Sequence, residues 1–542
     1  MSGRVRRPER VECSVHGQRR SVGLGPSLRS PQRPETRVLV TRKQRKSLIL
    51  VHPPQQGLLE GFSAGLIALA NFIQRRAEDV EVTLLDLGTA GPEAATTAVR
   101  DALRRASEPV FVGISATTAS YFEALRTARL FKSLAPHAVV VLGGHHASSQ
   151  DDVILERHHG AIDVVVRGEG EYALLGLVQR FPEFAAVPGI SFWRDGAVER
   201  NSPAPLLDPM ELDGLGVTFR GGGIRSAPGK FDHITYVSAR GCPLACHFCA
   251  VASEAVRSKS VPAVIADLRH LVGDLDFTSI AIEDNFFAQN AARTIALCGA
   301  IGGLQRELSS SFRWDCQTRV ESMVNADVVR AMERAGCEAV YLGVEALTEE
   351  HLAYLGKTRN PSRYLKLLAD DVVPKLVRSD IDCYINLQLG IPGERPEHLD
   401  ATLRRLARLG AIALRSRKTI TVFPQLHVLY PGTHHFATAV NANRFGPNTS
   451  RVFEPFTEWE AAQEPVRTWL GEHFAHGTGG IPEGILAPEP LRRGEFRVEP
   501  DAVLRVANAL TAIERVPGIS VFHYGAFLAS VGTADARSAL AG

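Results

Sequence analysis

Three cysteines lie within eight residues of a 542-residue chain that contains only eight cysteines. They are Cys242, Cys246 and Cys249, and their spacing is C-x3-C-x2-C. Three thiolates can bind three irons of a cubane 4Fe–4S cluster and leave the fourth iron without a protein ligand. Zinc is the competing interpretation, but a closed zinc site needs four ligands. His247 lies inside the C-x2-C, where its reach to the same metal is poor.

The remaining cysteines are scattered, and we expect each to be a small buried apolar residue: Cys13, Cys298, Cys316, Cys337 and Cys383. So few cysteines in a long chain without an apolar leader argue against a disulfide framework and predict a cytoplasmic location. No run approaches the ~18 apolar residues of a membrane helix. The net charge of +2 argues against a nucleic-acid-coating surface.

The charge is concentrated at the start of the chain. Residues 1–46 carry 11 Arg and 2 Lys against three Glu, a charge of +10, together with four prolines. Because this segment shows no apolar periodicity, we interpret it as a disordered basic extension, with a nucleic-acid-binding arm as the alternative.

Residues 47–185 alternate between short apolar strands and helical patterns. Such strands predict a doubly wound, Rossmann-like parallel sheet covered on both faces, which binds ligands beyond the carboxyl ends of its strands. Those ends carry small residues that let a bulky ligand approach the backbone, among them Ser115, Gly143, Gly144 and Gly168, followed by Glu169. The spacing predicts a nucleotide-like site of unspecified kind.

A second alternating segment follows a Pro- and Gly-rich linker at 186–230, in which Asp195 and Gly196 predict a hairpin turn. Six strand–helix repeats at 231–433 predict a complete or partial β/α barrel with its chemistry at the carboxyl-end rim. The three cysteines follow its first strand. Residues 434–542 are the least informative, and we expect a mostly helical region there. The fold class is therefore α/β throughout the first two segments.

The cysteine motif, with Phe248 before its last cysteine, resembles that of the radical S-adenosylmethionine (SAM) enzymes. The resemblance implies that the open iron chelates SAM and that one electron cleaves SAM to a 5′-deoxyadenosyl radical. Later segments resemble the same family at the expected strands: Ile282–Phe287, Gln317–Arg319, Gly336–Glu345, Leu387–Glu394 and Tyr430–Thr433. A zwitterionic cofactor needs carboxylates and an arginine around it, and Asp284, Glu345 and Arg319 are the candidates.

The N-terminal segment resembles the cobalamin-binding domain that precedes many radical SAM cores. The matching residues are Ser63–Leu66, Gly113–Ser115, Gly143–Ser148 and Gly168–Glu171. The D-x-H-x-x-G motif is absent, which implies that no histidine replaces the lower base of cobalamin. We interpret His145 and His146 as loop residues rather than cobalt ligands.

Together these resemblances imply a cobalamin-dependent radical SAM enzyme that methylates a small-molecule substrate and takes electrons from a flavodoxin or ferredoxin. A radical rearrangement, cyclisation or oxidation without methyl transfer is the alternative. A sensor or scaffold that binds the cofactors without cleaving SAM is a third class.

Overall fold

The structure, a computed structural model, describes residues 45–54, 63–217, 233–441 and 509–522, except positions 89, 119, 428 and 511. The basic segment up to residue 44, linker residues 218–232 and most of the C-terminal region lie outside the described residues. No helix within these ranges is long and apolar enough to cross a membrane.

The first sheet has seven strands in the order β2-β1-β3-β4-β5-β6-β7. Its strands are β1 (Lys46–His52), β2 (Val80–Asp86), β3 (Val110–Ser115), β4 (Val139–Gly143), β5 (Val164–Val166), β6 (Ile190–Arg194) and β7 (Ala197–Arg200). The helices are α1 (Ala64–Arg76), α2 (Pro92–Arg105), α3 (Tyr121–Leu134), α4 (His145–Ser149), α5 (Asp151–His158), α6 (Glu171–Arg180), a 3-10 turn (Phe184–Ala186) and α7 (Pro209–Asp213).

Strands β1 to β5 are parallel, and all of them except the edge strand β2 are buried on both faces, as expected for a doubly wound sheet. Successive residues of β1 enter separate cores, because Leu48 and Leu50 pack on one side and Ile49 and Val51 on the other. Residues 190–200, which were predicted to be part of the linker, belong to the first sheet instead. They form the predicted hairpin, which adds two antiparallel strands to the edge at β5.

The second sheet also has seven strands, in the order β16-β15-β14-β13-β12-β11-β8, all parallel to their neighbours. Its strands are β8 (His233–Tyr236), β11 (Ser279–Ile282), β12 (Arg313–Thr318), β13 (Cys337–Glu345), β14 (Asp382–Leu389), β15 (Ile420–Leu426) and β16 (Ile519–Val521). Two further short strands, β9 (Ala239–Arg240) and β10 (Arg257–Ser258), form a separate antiparallel ribbon. The open strand order is that of a partial barrel. All six predicted strands are confirmed, and the C-terminal region contributes a seventh.

Helices follow these strands in β/α alternation: α8 (Val261–Arg269), α9 (Ala291–Leu308), α10 (Ala326–Arg334), α11 (Glu349–Tyr354), α12 (Pro361–Leu367), α13 (Val373–Leu376), α14 (Pro396–Arg415) and α15 (His434–Asn441). Single π turns extend α8 and α12 at His270–Asp274 and Leu368–Val372, and a 3-10 turn occupies Val320–Val324. The core under these helices contains four of the scattered cysteines, as predicted: Cys298, Cys316, Cys337 and Cys383.

Burial along the strands of the second sheet alternates between its two faces. Cys383 and Ile385 of β14 belong to the helix-covered core, whereas Tyr384 between them is only half-buried. Tyr341 on β13 and Phe423 on β15 are half-buried in the same way. One side of the sheet is covered by the helices. We call the opposite side, which carries Tyr341, Tyr384 and Phe423, the inner face of the sheet. Because large aromatic residues remain partly accessible there, the inner face borders space that its side chains do not fill.

Candidate active site

The three cysteines lie on one loop whose base is closed by the ribbon. Arg240 of β9 pairs with Arg257 of β10, and Ala239 pairs with Ser258, so residues 241–256 form a closed loop. We call residues 241–256 the cysteine loop. Its three cysteines are free thiols, of which Cys246 is buried and the other two are half-buried.

The thiols fit a cubane cluster better than a single ion. Within the described ranges, no three His, Cys, Asp or Glu side chains converge so that they could hold one metal ion. A cubane cluster offers a separate iron to each thiolate and does not require such convergence. Burial raises the pKa of Cys249 to about 11 and also raises the pKa of Cys242. Since iron binds thiolates, cluster uptake must release protons.

His247 is turned away from the thiols. Its Nδ1 donates to the Tyr354 carbonyl oxygen at 2.9 Å, and its backbone N–H donates to the Leu355 carbonyl oxygen at 2.9 Å. The ring packs against Gly356, where an added Cβ would come within 2.7 Å of it. His247 therefore anchors the cysteine loop to the end of α11. Phe248 beside it packs partly against the barrel core.

Arg319 reaches the cysteine loop from the end of β12. Its Nη1 lies 3.7 Å from the Cys246 Sγ, and its Nη2 donates to the Lys357 carbonyl oxygen at 2.5 Å. An ion pair with Glu321 at 3.1 Å holds the other side of the guanidinium. The predicted contact of Arg319 with SAM stays a prediction, but its position next to a cluster ligand is compatible with that role.

Glu345 ends β13 in a strained conformation, with a φ of 71° that non-glycine residues seldom adopt. The register between β13 and β14 shifts at this point. Its carboxylate accepts from Gln388 Nε2 at 2.9 Å and pairs with Lys357 Nζ at 3.3 Å. Since the residue is buried, at 7% exposed, these partners fix the orientation of its side chain. The predicted SAM contact of Glu345 stays a prediction.

Asp284 has different partners from those that the sequence analysis expected. Its Oδ1 accepts from the backbone N–H groups of Ser238 and Ala239 at 2.6 and 2.8 Å, and its Oδ2 accepts from Ser238 Oγ at 2.5 Å. The side chain is 1% exposed. Both carboxylate oxygens therefore accept hydrogen bonds from the segment that connects β8 to the ribbon. Asp284 therefore supports the base of the cysteine loop rather than facing a ligand.

This geometry distinguishes two substitutions of Asp284. We expect Asp284→Ala to lower the free energy of unfolding by about 3 kcal/mol and to reduce iron content, because it leaves two buried N–H groups without an acceptor. Asp284→Asn should retain both, since its Oδ1 can accept both N–H groups and its Nδ2 can donate to Ser238 Oγ. Urea unfolding, iron analysis and SAM titration check this. A tenfold loss of SAM affinity in an otherwise intact Asp284→Asn variant would instead support direct contact.

The carboxyl end of the first sheet carries the small residues that the sequence analysis selected. A Cβ at Gly143 would make only an ordinary contact, 3.8 Å from the Val166 Cβ, and one at Gly168 would meet nothing within 4 Å. Ser115 of β3 pairs with Gly143 and is half-buried. A bulky ligand can therefore come close to this stretch of backbone, which fits cobalamin.

Gly144 differs from its neighbours, and the reason the sequence analysis gave for it is wrong. With a φ of 99°, its added Cβ would lie 2.4 Å from the Ala116 carbonyl oxygen, so the protein's own backbone occupies that space.

His146 is buried, pairs with Thr118 Oγ1 at 3.1 Å and stacks on Tyr121 at 4.1 Å. Burial lowers the pKa of His146 to about 3. His145 and His146 lie in α4 rather than in a loop, so that part of the interpretation is wrong, whereas the packing of His146 supports its interpretation as a structural residue rather than a cobalt ligand.

Glu169 joins the first sheet to the cysteine loop instead of facing open space. Its two oxygens accept from Arg257 at 2.7 and 2.8 Å, and Arg240 lies 3.3 Å away. Arg240 also donates to Glu171 at 2.8 Å. We call these four residues the interdomain clamp. These contacts contradict the expectation that the Glu169 carboxylate is free to contact cobalamin.

Reversing one charge of the interdomain clamp should be costly. In Glu169→Arg, three half-buried or buried cations would face each other, and we expect the free energy of unfolding to fall by about 3 kcal/mol. The control is Glu199→Arg, since Glu199 pairs with Arg194 on the exposed hairpin and should change stability by at most about 0.5 kcal/mol. Urea unfolding of both variants measures the two changes in the free energy of unfolding. Equal effects would mean that the clamp adds no more than a surface pair.

The chain matches two protein families, one over each sheet. The B12 binding domain family matches residues 59–178, and the Radical SAM superfamily matches residues 236–406. The chain belongs to the radical SAM enzymes with a B12-binding domain. The second match contains the cysteine loop and the ends of β11 to β14, and the first contains the strand ends with small residues. The enzyme thus has the cofactor set predicted from its motifs: a 4Fe–4S cluster, SAM and cobalamin.

Individual relatives of this radical SAM enzyme have different activities. An uncharacterized methyltransferase of Pyrococcus horikoshii is 27% identical over 380 residues, which cover 67% of this chain and 78% of the relative. An anaerobic magnesium-protoporphyrin IX monomethyl ester cyclase of Cereibacter sphaeroides is 25% identical, over 55% of this chain and about half of the relative. The radical SAM methyltransferase TsrM of Kitasatospora setae, solved with cobalamin and a [4Fe–4S] cluster, aligns with a TM-score of 0.62 at 18% identity over 73% of this chain and 75% of that one. This last similarity shows the shared fold.

Three residues that contact the candidate site residues were not predicted from the sequence. Lys357 and Gln388 hold Glu345, and Arg257 completes the interdomain clamp. Gln388 lies inside the predicted fifth-strand motif, which was the available signal for it. Lys357 lies in a loop and Arg257 lies on the short strand β10, both between motifs, and nothing in their local sequence distinguishes them from surface cations.

Proposed function

We propose that the enzyme transfers a methyl group from SAM to a carbon atom of a small-molecule substrate, with cobalamin as the methyl carrier. The interdomain clamp is the observation that carries this proposal. It fastens the base of the cysteine loop to the residues that follow β5, where the small residues of the first sheet also lie. Such a connection would hold two cofactors at one fixed distance across the same space.

The chain's own residues have separate tasks in this reaction. Cys242, Cys246 and Cys249 would hold the cluster, and the backbone at Ser115, Gly143 and Gly168 would accommodate cobalamin. When bound, the cluster supplies the electron that cleaves SAM, and cobalamin supplies a cobalt centre that can carry a methyl group. Arg319 beside Cys246 would bind the SAM carboxylate, and Glu345, oriented by Lys357 and Gln388, would accept hydrogen bonds from SAM.

The overall reaction balances with two molecules of SAM. One donates its methyl group and leaves as S-adenosylhomocysteine. The other takes up one electron and gives methionine and a 5′-deoxyadenosyl radical, which takes a hydrogen atom from the substrate carbon. The substrate carbon then takes up the transferred methyl group. A second electron would be needed to return the methyl carrier to its starting state, so each methylation needs two electrons. A flavodoxin or a ferredoxin is the proposed donor, and a cytoplasmic location stays a prediction.

Methyl-labelled SAM tests the proposal directly. After anaerobic incubation with reductant, cobalamin and candidate substrates, we expect label in the product and equal amounts of S-adenosylhomocysteine and 5′-deoxyadenosine. The alternative is a radical cyclisation or oxidation, which the similarity to the cyclase supports. It predicts 5′-deoxyadenosine without S-adenosylhomocysteine and an unlabelled product, and this outcome would overturn methyl transfer.

A further inference from the structure

In the ranges that the structure describes, the inner face of the second sheet carries two carboxylates that no side-chain cation pairs with, the half-buried Asp315 and the exposed Glu283. Asp315 lies on β12, and Glu283 directly follows the neighbouring strand β11. Neither side chain has a hydrogen bond or an ion pair with another side chain in the part of the chain that the structure describes. Burial, together with Glu338 and Glu283, raises the pKa of Asp315 to about 7. A partly buried carboxylate beside other carboxylates is unfavourable unless a cation offsets the charge.

Aromatic rings continue the same face on the next strands. Tyr341 and Tyr384 are register partners on β13 and β14, and their rings stack with centroids 4.7 Å apart. Phe423 on β15 stands edge-on to Tyr341 at 6.2 Å and 85°. All three are half-buried rather than fully packed. Aromatic faces attract cations through their negative quadrupole, most strongly where water is partly excluded.

A buried acceptor without a partner lies on the same face. Asn386 follows Tyr384 by two residues on β14 and is the register partner of Phe423 on β15. The residue is 7% exposed, and its Oδ1 has no hydrogen-bond partner among the described residues. A buried carbonyl oxygen without a donor costs free energy, so its position here indicates that a ligand donates to it. Asn386 is independent of the two carboxylates, since it lies on a different strand.

We infer that the inner face binds a substrate that carries a protonated amine next to an aromatic or other apolar group. In this arrangement the ammonium group lies near Asp315 and Glu283 and donates to them, while the apolar part packs on Tyr341, Tyr384 and Phe423. Asn386 accepts from a further N–H or O–H group of the ligand. The inference deepens the proposed function, on which it rests, because it names the substrate class for the same site.

Binding of two compounds of equal size tests this inference. The full chain, reconstituted anaerobically with cluster and cobalamin, is dialysed to equilibrium with SAM and either 2-phenylethylamine or 2-phenylethanol. Reductant is left out so that SAM stays intact. We expect the amine to bind at least about tenfold more tightly than the alcohol, the difference typical of one charge-assisted hydrogen bond.

The charge preference should disappear in the double variant Glu283→Gln/Asp315→Asn. Its matched control, Glu307→Gln/Asp327→Asn, removes the same charges from exposed positions on α9 and α10 and should keep the preference. Phe423→Leu should weaken the binding of both compounds to the same extent, because both pack their ring on Phe423. Iron content and far-ultraviolet circular dichroism confirm that each variant is folded.

Three outcomes would overturn the inference. They are equal affinity of the wild type for both compounds, a preference for the amine that survives in Glu283→Gln/Asp315→Asn, and no binding of either compound at millimolar concentration. Because the dialysis does not depend on methyl transfer, its failure is distinguishable from failure of the proposed function, which the labelled-methyl experiment measures separately.

Discussion

Alanine at any one of Cys242, Cys246 or Cys249 should abolish SAM cleavage and remove the bound iron. Each thiolate is predicted to hold its own iron, so we expect a cluster that loses one ligand to find no replacement among the described side chains nearby. His247 is bonded to Tyr354, and no three metal-ligating groups converge in the described ranges. Iron and sulfide analysis, visible absorbance and the yield of 5′-deoxyadenosine measure the loss. The expected effect is complete.

Two cysteines of the barrel core are the matched controls. Cys298 and Cys383 are 2% and 4% exposed and pack among apolar residues. Cys298→Ala and Cys383→Ala should cost about 1 kcal/mol of stability through lost packing and leave iron content unchanged. Loss of iron from either control to the level of the loop variants would show that iron content reports global folding. Zinc in place of iron after anaerobic reconstitution of the wild type would contradict the cluster assignment.

Gly144→Val should prevent the first domain from reaching its native packing. The added Cβ would lie 2.4 Å from the Ala116 carbonyl oxygen and 3.0 Å from the Ala116 nitrogen, and neither atom can move without breaking β3 away from β4. A β-branched residue is also strained at a φ of 99°. We expect the clash and the strain together to lower the free energy of unfolding by about 4 kcal/mol. The loss would be seen as a lower urea midpoint and a poor yield of soluble protein.

The adjacent glycine provides the comparison. Gly143→Ala introduces a Cβ that only contacts Val166 at 3.8 Å, so this variant should fold normally. If cobalamin passes over the ends of β3 and β4, Gly143→Ala should weaken cobalamin binding while iron content and SAM cleavage remain. A Gly144→Val protein with wild-type stability would contradict the clash and restore a ligand-facing role for that position.

The sequence predicted the parts of the structure that local patterns encode. Apolar runs such as Leu48–Val51 and Ala138–Leu142 gave the strands, because a parallel sheet covered on both faces needs continuous apolar segments. The cysteine spacing located the cysteine loop. The hairpin turn at Asp195 and Gly196 was recognised, but the sequence does not state which sheet a hairpin joins.

The side-chain partners could not be predicted, because they are set by contacts between residues far apart in the chain. Asp284 was assigned to a ligand by its motif, yet its oxygens accept from two backbone N–H groups, 45 and 46 residues earlier, and from the Ser238 hydroxyl. Glu169 meets Arg257 across 88 residues. A carboxylate in a motif has the same local sequence whether it faces a cofactor or another part of the protein.

The interdomain clamp limits how such enzymes can be recombined. The acidic pair belongs to the first domain, while both arginines belong to the ribbon that frames the cysteine loop. A chimera that exchanges the first domain for one without acidic residues at these positions would leave Arg240 and Arg257 facing an unmatched surface at the base of the loop. A junction after residue 258 would keep the clamp but would separate β8 from β11 and Ser238 from Asp284. Grafting in the linker therefore requires a first domain that carries acidic residues at the positions of Glu169 and Glu171.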